Sequence, residues 1–128
     1  QYSCPLFEKN SYEDLNLAIA NLTNAIQNVS DECRSSQNQI DGLRQTNDQI
    51  RDSVTKLQEF VANPGESYAN TQSLQTNVNT LVTGIDRMAD IYKNTTALSG
   101  SCGRRTMSWG RVALELSNVV NSASPFLL

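Results

Sequence analysis

The chain has 128 residues and a formal net charge of -3, with 38% hydrophobic and 6% aromatic residues. This length fits a single domain, and the low aromatic share indicates a narrow core. The charge balance excludes the strongly basic character of nucleic-acid-binding domains. No apolar run approaches the roughly 20 residues that a helix needs to cross a bilayer.

The first half of the chain carries a long coiled-coil pattern. Apolar residues recur in alternating steps of four and three, which predicts an α-helix with a continuous apolar seam. We place this helix at about residues 11–62 and a turn at 63–66, where Pro64 and Gly65 break the pattern. The seam residues are Leu15, Ile19, Leu22, Ile26, Val29, Cys33, Ser36, Ile40, Leu43, Asn47, Ile50, Val54, Leu57 and Val61.

Two further helices follow. The same steps run from Leu74 to Tyr92 and predict a helix at 67–98, which the short turn folds back on the first helix as an antiparallel hairpin. A third helix is predicted at 105–121 after a loop at 99–104. Its core face is expected to contain Trp109, Val112, Ala113, Leu116, Val119, Val120 and Ala123.

These elements predict an all-α fold and a single helical domain over residues 1–128, with irregular chain at 1–10. The expected architecture is an elongated antiparallel helical hairpin with a coiled-coil seam, plus the third, C-terminal helix. The alternative is a compact four-helix bundle with a break near residue 30, where the polar stretch 34–39 weakens the seam. The unbroken heptad phase favours the straight helix.

The three cysteines are widely spaced. Cys4, Cys33 and Cys102 lack the paired spacing of zinc sites or thiol oxidoreductases, and the chain has no histidine. In the hairpin Cys33 and Cys102 lie nearly level, which predicts a disulfide between them and an oxidising compartment. Cys4, about 44 Å from Cys33 along a straight helix, is then unpaired or bonded between chains. The alternative is three reduced, buried cysteines.

Asn47 is the polar residue that the seam places at a core position. In a parallel dimer a buried Asn pairs with its twin and fixes the register. In an intramolecular bundle the same residue meets a polar group or water. Few charges flank the seam to select a partner helix, and this favours the intramolecular arrangement.

Four residues at the start of the third helix form a possible interaction patch: Arg104, Arg105, Trp109 and Arg111. Such a patch suits a phosphate, a lipid headgroup or an acidic partner. The alternative is a solvated helix start, because three charges are few for a binding footprint.

The residue types for catalysis are scarce. The chain has no histidine and no Gly-rich phosphate loop, and the acidic residues of the first helix fall mainly on outward positions. We therefore expect no enzyme activity, no cofactor and no metal.

The pattern favours an extracytoplasmic structural or protein-interaction module within a larger envelope or appendage assembly. Its expected location is the periplasm, the cell surface or the medium, and its partner is a protein or a second copy. The alternative is a secreted membrane-active protein that inserts its C-terminal helix, with membrane contact through residues 105–128. A small-molecule carrier is disfavoured, because the narrow seam leaves little room for a pocket.

Overall fold

The computed structural model describes residues 9–33, 42–62, 67–94 and 105–127. These residues form four α-helices and a short 3-10 helix, with no strand in the described ranges. The helices are α1 (Lys9–Glu32), α2 (Leu43–Ala62), α3 (Ser67–Asn94) and α4 (Arg105–Ala123), and the 3-10 helix is Ser124–Phe126. The prediction of an all-α fold is confirmed.

The single first helix predicted at 11–62 is wrong. Instead, α1 and α2 run side by side in opposite directions. The Ser30 hydroxyl donates a hydrogen bond to Asn47 Oδ1 at 3.1 Å, and Arg51 Nη2 donates to Gln27 Oε1 at 3.0 Å. In one straight helix the members of these pairs would lie about 25 and 36 Å apart. The elongated hairpin is therefore replaced by four helices, as in the alternative, but α1 is helical through Glu32, so the break lies after this residue rather than near residue 30.

Gly42 explains the start of α2. Its φ of +79° lies in the left-handed region, which a right-handed helix cannot pass through and which glycine adopts without strain. The amide of Thr46 donates to the carbonyl of Gly42 at 3.0 Å, so α2 begins directly after the glycine. The seam pattern continues across the break because Cys33 and Leu43 are ten residues apart. This separation equals one heptad plus a step of three, so it keeps the alternation of three- and four-residue steps.

Each helix packs mainly against one neighbour: α1 against α4 and α2 against α3. Successive helices are antiparallel, which gives the bundle two different ends. At the aromatic end the Phe126 ring lies 4.9 Å from Tyr12 and 5.4 Å from Phe60, measured between ring centroids. Burial raises the pKa of the Tyr12 hydroxyl. At the polar end the core instead contains Ser30, Thr46 and Asn47.

The predicted seam residues that the structure describes are buried in α1 and α2, except for half-buried Val61. In α4 the expectation for Ala113 is wrong, because this residue is exposed and Glu115 occupies a buried position instead. The sequence favoured the apolar side chain, but the helix rotation is set by Val112 and Val119, which are fully buried.

Other predictions lie outside the described residues. These are the turn at 63–66, the loop at 99–104, the irregular chain at 1–8 and the last residues, 95–98, of the second predicted helix. Residues 9 and 10, predicted to be irregular, belong to α1, and α4 extends two residues beyond the predicted end at 121.

The closest approach of α2 and α3 gives a test of the packing. A Cβ on Gly84 would lie 2.9 Å from Cγ1 of the buried Ile50, whereas a Cβ on Gly110 would have no atom within 4 Å. We expect Gly84→Ala to lower the free energy of unfolding by about 1–3 kcal/mol, because the two helices must move apart. The matched variant Gly110→Ala should raise it by about 0.5–1 kcal/mol through helix propensity. Urea unfolding measures both, and equal effects would contradict the close contact.

Candidate interaction surface

The exposed sides of α1 and α4 carry no charge over most of their length. No Asp, Glu, Lys or Arg occurs between residues 15 and 30, and between 112 and 127 there is only Glu115. The two helices are neighbours, so their exposed sides adjoin. We call this the α1/α4 outer face: Leu17, Asn21, Asn24, Asn28, Leu114, Ser117, Asn118 and Asn121.

Two leucines stand out on this face. Leu17 is 62% exposed and Leu114 is 56% exposed, and both are placed opposite the buried stripe of their helix. The seam pattern did not select them, because it follows the residues that face the core. The signal that identifies them is a leucine at an outward heptad position within a stretch that has no charge.

The opposite side of the bundle has a different character. The exposed positions of α2 and of the last part of α3 carry charges of both signs, as expected of a solvated helix surface. These residues are Arg44, Asp48, Arg51, Asp52, Lys56, Glu59, Asp86, Arg87, Asp90 and Lys93. Residues 67–85 of α3 contain no Asp, Glu, Lys or Arg either, so the feature that distinguishes the α1/α4 outer face is its pair of exposed leucines.

Glu115 does not break the uncharged face, because only 4% of the residue is exposed. Its Oε1 accepts a hydrogen bond from Asn118 Nδ2 at 2.9 Å, and its Oε2 lies 3.8 Å from Arg111 Nε. Both partners lie on α4, so this carboxylate is satisfied within its own helix. The buried charge is thereby compensated within α4 and needs no partner from α1.

The described residues of the predicted interaction patch, Trp109 and Arg111, do not form one cluster. The half-buried Trp109 packs edge-on against Tyr92 of α3, with ring centroids 5.6 Å apart. Arg111 is paired with Glu115. Arg104 and the side chain of Arg105 lie outside the described residues. Binding by this patch stays a prediction.

Asn47 is buried and pairs with Ser30 of α1, so its polar partner lies within the same chain. The hydroxyl of the preceding residue, Thr46, is buried and has no hydrogen-bond partner among the described residues. A helical threonine usually donates to the carbonyl four residues back, as Thr55 does to Arg51. The polar end of the core is therefore incompletely satisfied.

Cys33 lies at the end of α1 and is 1% exposed. Cys4 and Cys102 both lie outside the described residues, so the predicted pairing of Cys33 with Cys102 stays a prediction.

Within the described ranges no group of three or more acidic or cysteine side chains is arranged to hold a metal ion. None of the described helices is long and apolar enough to cross a membrane. Comparisons of the chain with protein-family models, with curated proteins and with solved structures found no match.

The unsatisfied hydroxyl of Thr46 gives a second test. Thr46→Val keeps the shape of the side chain and removes the polar atom, so we expect the free energy of unfolding to rise by about 1 kcal/mol. The control Thr55→Val changes an exposed residue and should stay within about 0.5 kcal/mol of the parent. A loss of stability in Thr46→Val, measured by urea unfolding, would show that the hydroxyl has a partner after all.

Proposed function

We propose that this chain is an extracytoplasmic protein-interaction module that works within a larger envelope or appendage assembly, and that it binds its partner through the α1/α4 outer face. The observation that carries the proposal is the pair of largely exposed leucines, Leu17 and Leu114, on parts of α1 and α4 that have no exposed charge. The proposal assigns the chain no catalytic role.

Depletion of charge is a compositional feature of the buried centre of protein interfaces. A partner that covers Leu17 and Leu114 removes two largely exposed apolar side chains from water. The surrounding Asn and Ser side chains supply hydrogen bonds without the desolvation cost of a charge.

The proposed extracytoplasmic location goes together with a proposed disulfide of Cys33, because disulfides persist mainly in oxidising compartments. The position of Cys102 in the chain supports the pairing of these two residues. Cys33 ends α1 at the polar end of the bundle, and Cys102 lies between the end of α3 and the start of α4, which belong to the same end.

Cys4 is a much poorer partner for Cys33 within one chain. It precedes Lys9 by five residues, which span at most about 18 Å when fully extended. The helix from Lys9 to Cys33 is about 36 Å long. The remaining gap exceeds the Cα separation of a disulfide, which is at most about 7 Å. We therefore propose the Cys33 to Cys102 bond, with Cys4 unpaired or bonded between chains.

The alternative function, membrane insertion by the C-terminal helix, has weaker support. Val112, Val119, Ala123 and Phe126 of this segment are each at most 1% exposed and pack in the bundle core. Insertion into lipid would require α4 to leave α1 and expose that core. Co-flotation with liposomes tests this alternative directly.

The interaction face is tested by site-specific photo-cross-linking in the cells that produce the protein. We expect a photoreactive phenylalanine analogue at position 17 or 114 to give a cross-linked protein partner, and the same analogue at the exposed Thr76 of α3 to give none. Leu17→Lys and Leu114→Lys should weaken binding to that partner at least about tenfold, because they place a charge in the centre of the interface. Circular dichroism checks that both variants fold.

Thr76→Lys is the matched control and should leave binding unchanged. Equal cross-linking from positions 17, 76 and 114 would remove the α1/α4 outer face from consideration. Cross-links only between identical chains would identify a second copy as the partner.

The disulfide is tested by peptide mapping without reduction. We expect one linked pair that contains Cys33 and Cys102. A peptide pair that joins Cys4 to Cys33 within a monomer would contradict both the pairing and the helical distance on which it depends. Cys4→Ser should leave the mapped bond and the melting temperature unchanged, whereas Cys102→Ser should lower the free energy of unfolding by about 2–5 kcal/mol.

A further inference from the structure

A groove runs between α1 and α2 on the side of α1 that faces away from α4. It encloses about 200 Å³, which is below the usual range of small-molecule pockets. Its size suits one or two side chains of a protein rather than a whole metabolite. The floor consists of Ile26 and Val54, both of which are almost completely buried. The rim is polar and consists of Thr23, Gln27, Arg51, Thr55 and Gln58.

Arg51 is the charged member of this rim, and it is held in place without being neutralised. Its Nη2 donates to Gln27 Oε1 at 3.0 Å, and Gln27 Nε2 in turn donates to Asp31 Oδ1 at 2.9 Å. The guanidinium makes no ion pair with a described carboxylate. Four of its five N–H groups therefore stay available, in an orientation that the amide of Gln27 fixes.

The threonine hydroxyls add only acceptors to the groove. Thr23 donates to the carbonyl of Ile19 at 2.8 Å, and Thr55 donates to that of Arg51 at 3.0 Å. A ligand group beside them gains no strong donor from either residue. Gln58 adds a neutral amide, so Arg51 is the charged donor of the groove, and carboxylates fit the planar fork of a guanidinium best.

The distance between the Arg51 guanidinium and the apolar floor suits two side chains on one partner helix. Arg51 and Val54 are three residues apart on α2, which places their Cβ atoms about 5–6 Å apart. On a partner helix, a leucine and a glutamate three or four positions apart have the same separation. The leucine would lie on Ile26 and Val54 while the glutamate meets the guanidinium.

We propose that the α1/α2 groove is a second recognition site, which takes an adjacent apolar and acidic side-chain pair from a helix of the protein partner. This inference rests on the proposed interaction function and adds the chemistry of the partner. The groove adjoins α1, so one partner can cover the α1/α4 outer face and reach the groove around the same helix.

The test uses the whole chain and alanine-rich helical peptides, followed by NMR of the methyl groups of Ile26 and Val54. One peptide presents Leu and Glu four positions apart, and a second presents Leu and Gln. We expect the Glu peptide to shift these methyl signals and to bind about two- to fivefold more tightly than the Gln peptide at low salt, as suits one exposed ion pair. Arg51→Ala should abolish this preference, and Arg87→Ala, which removes an exposed arginine on α3, should preserve it.

Octanoate serves as the small-molecule probe. If octanoate shifts the methyl signals and neither peptide does, the occupant is a free carboxylate and the proposal is overturned. The proposal also fails if the Glu and Gln peptides bind equally to the parent chain. Cross-links from positions 17 and 114 would in either case leave the proposed function standing, so the two failures are distinguishable.

Discussion

Between Cys33 and Gly42 the chain reverses direction, and the apolar stripe of α2 comes to face the stripe of α1. Without this reversal each stripe would need a partner from another chain. With it, Leu22 and Leu57 become fully buried within one molecule, and α3 and α4 cover the remaining sides. The hydrogen bonds from Ser30 to Asn47 and from Arg51 to Gln27 then fix the register of the first two helices.

The register also determines which surfaces are left for binding. Because α1 pairs with α4, two segments with almost no exposed charge adjoin, although they lie more than 80 residues apart in the sequence. Because α2 pairs with α3, the charged residues of α2 and of the last part of α3 lie on the other side. The same arrangement leaves Arg51 beside an apolar floor, since the contact between α1 and α2 is less extensive than the contact within each helix pair.

The sequence predicted the helical class and most of the buried residues, because a period of 3.6 residues shows which side of a helix is apolar wherever the helix lies. It could not show where α1 ends. The heptad phase passes across residues 34–42 unbroken, and the decisive feature, the positive φ of Gly42, is a backbone property of a common residue.

The candidate surface was predictable in part. The uncharged stretch from 15 to 30 is visible in the sequence, but its proximity to α4 depends on the tertiary fold. The groove at Arg51 was not predictable, because Gln27 and Arg51 are 24 residues apart and meet only after the chain reverses. The seam pattern placed Asn47 at a core position, but its partner Ser30 is 17 residues away and meets it only after the chain reverses.

The two ends of the bundle differ in what holds them closed. Three aromatic rings seal one end, whereas the other contains hydroxyl and amide groups, one of them unsatisfied. The proposed bond of Cys33 would lie at this second end, beside the ring contact of Tyr92 with Trp109 and the unsatisfied hydroxyl of Thr46. Fraying after reduction should therefore start there, with the carboxyl end of α1 and the first turn of α2 separating while Tyr12, Phe60 and Phe126 still clamp the far end. The helices would then separate first at this end of the bundle, and unfolding would not begin at the chain termini.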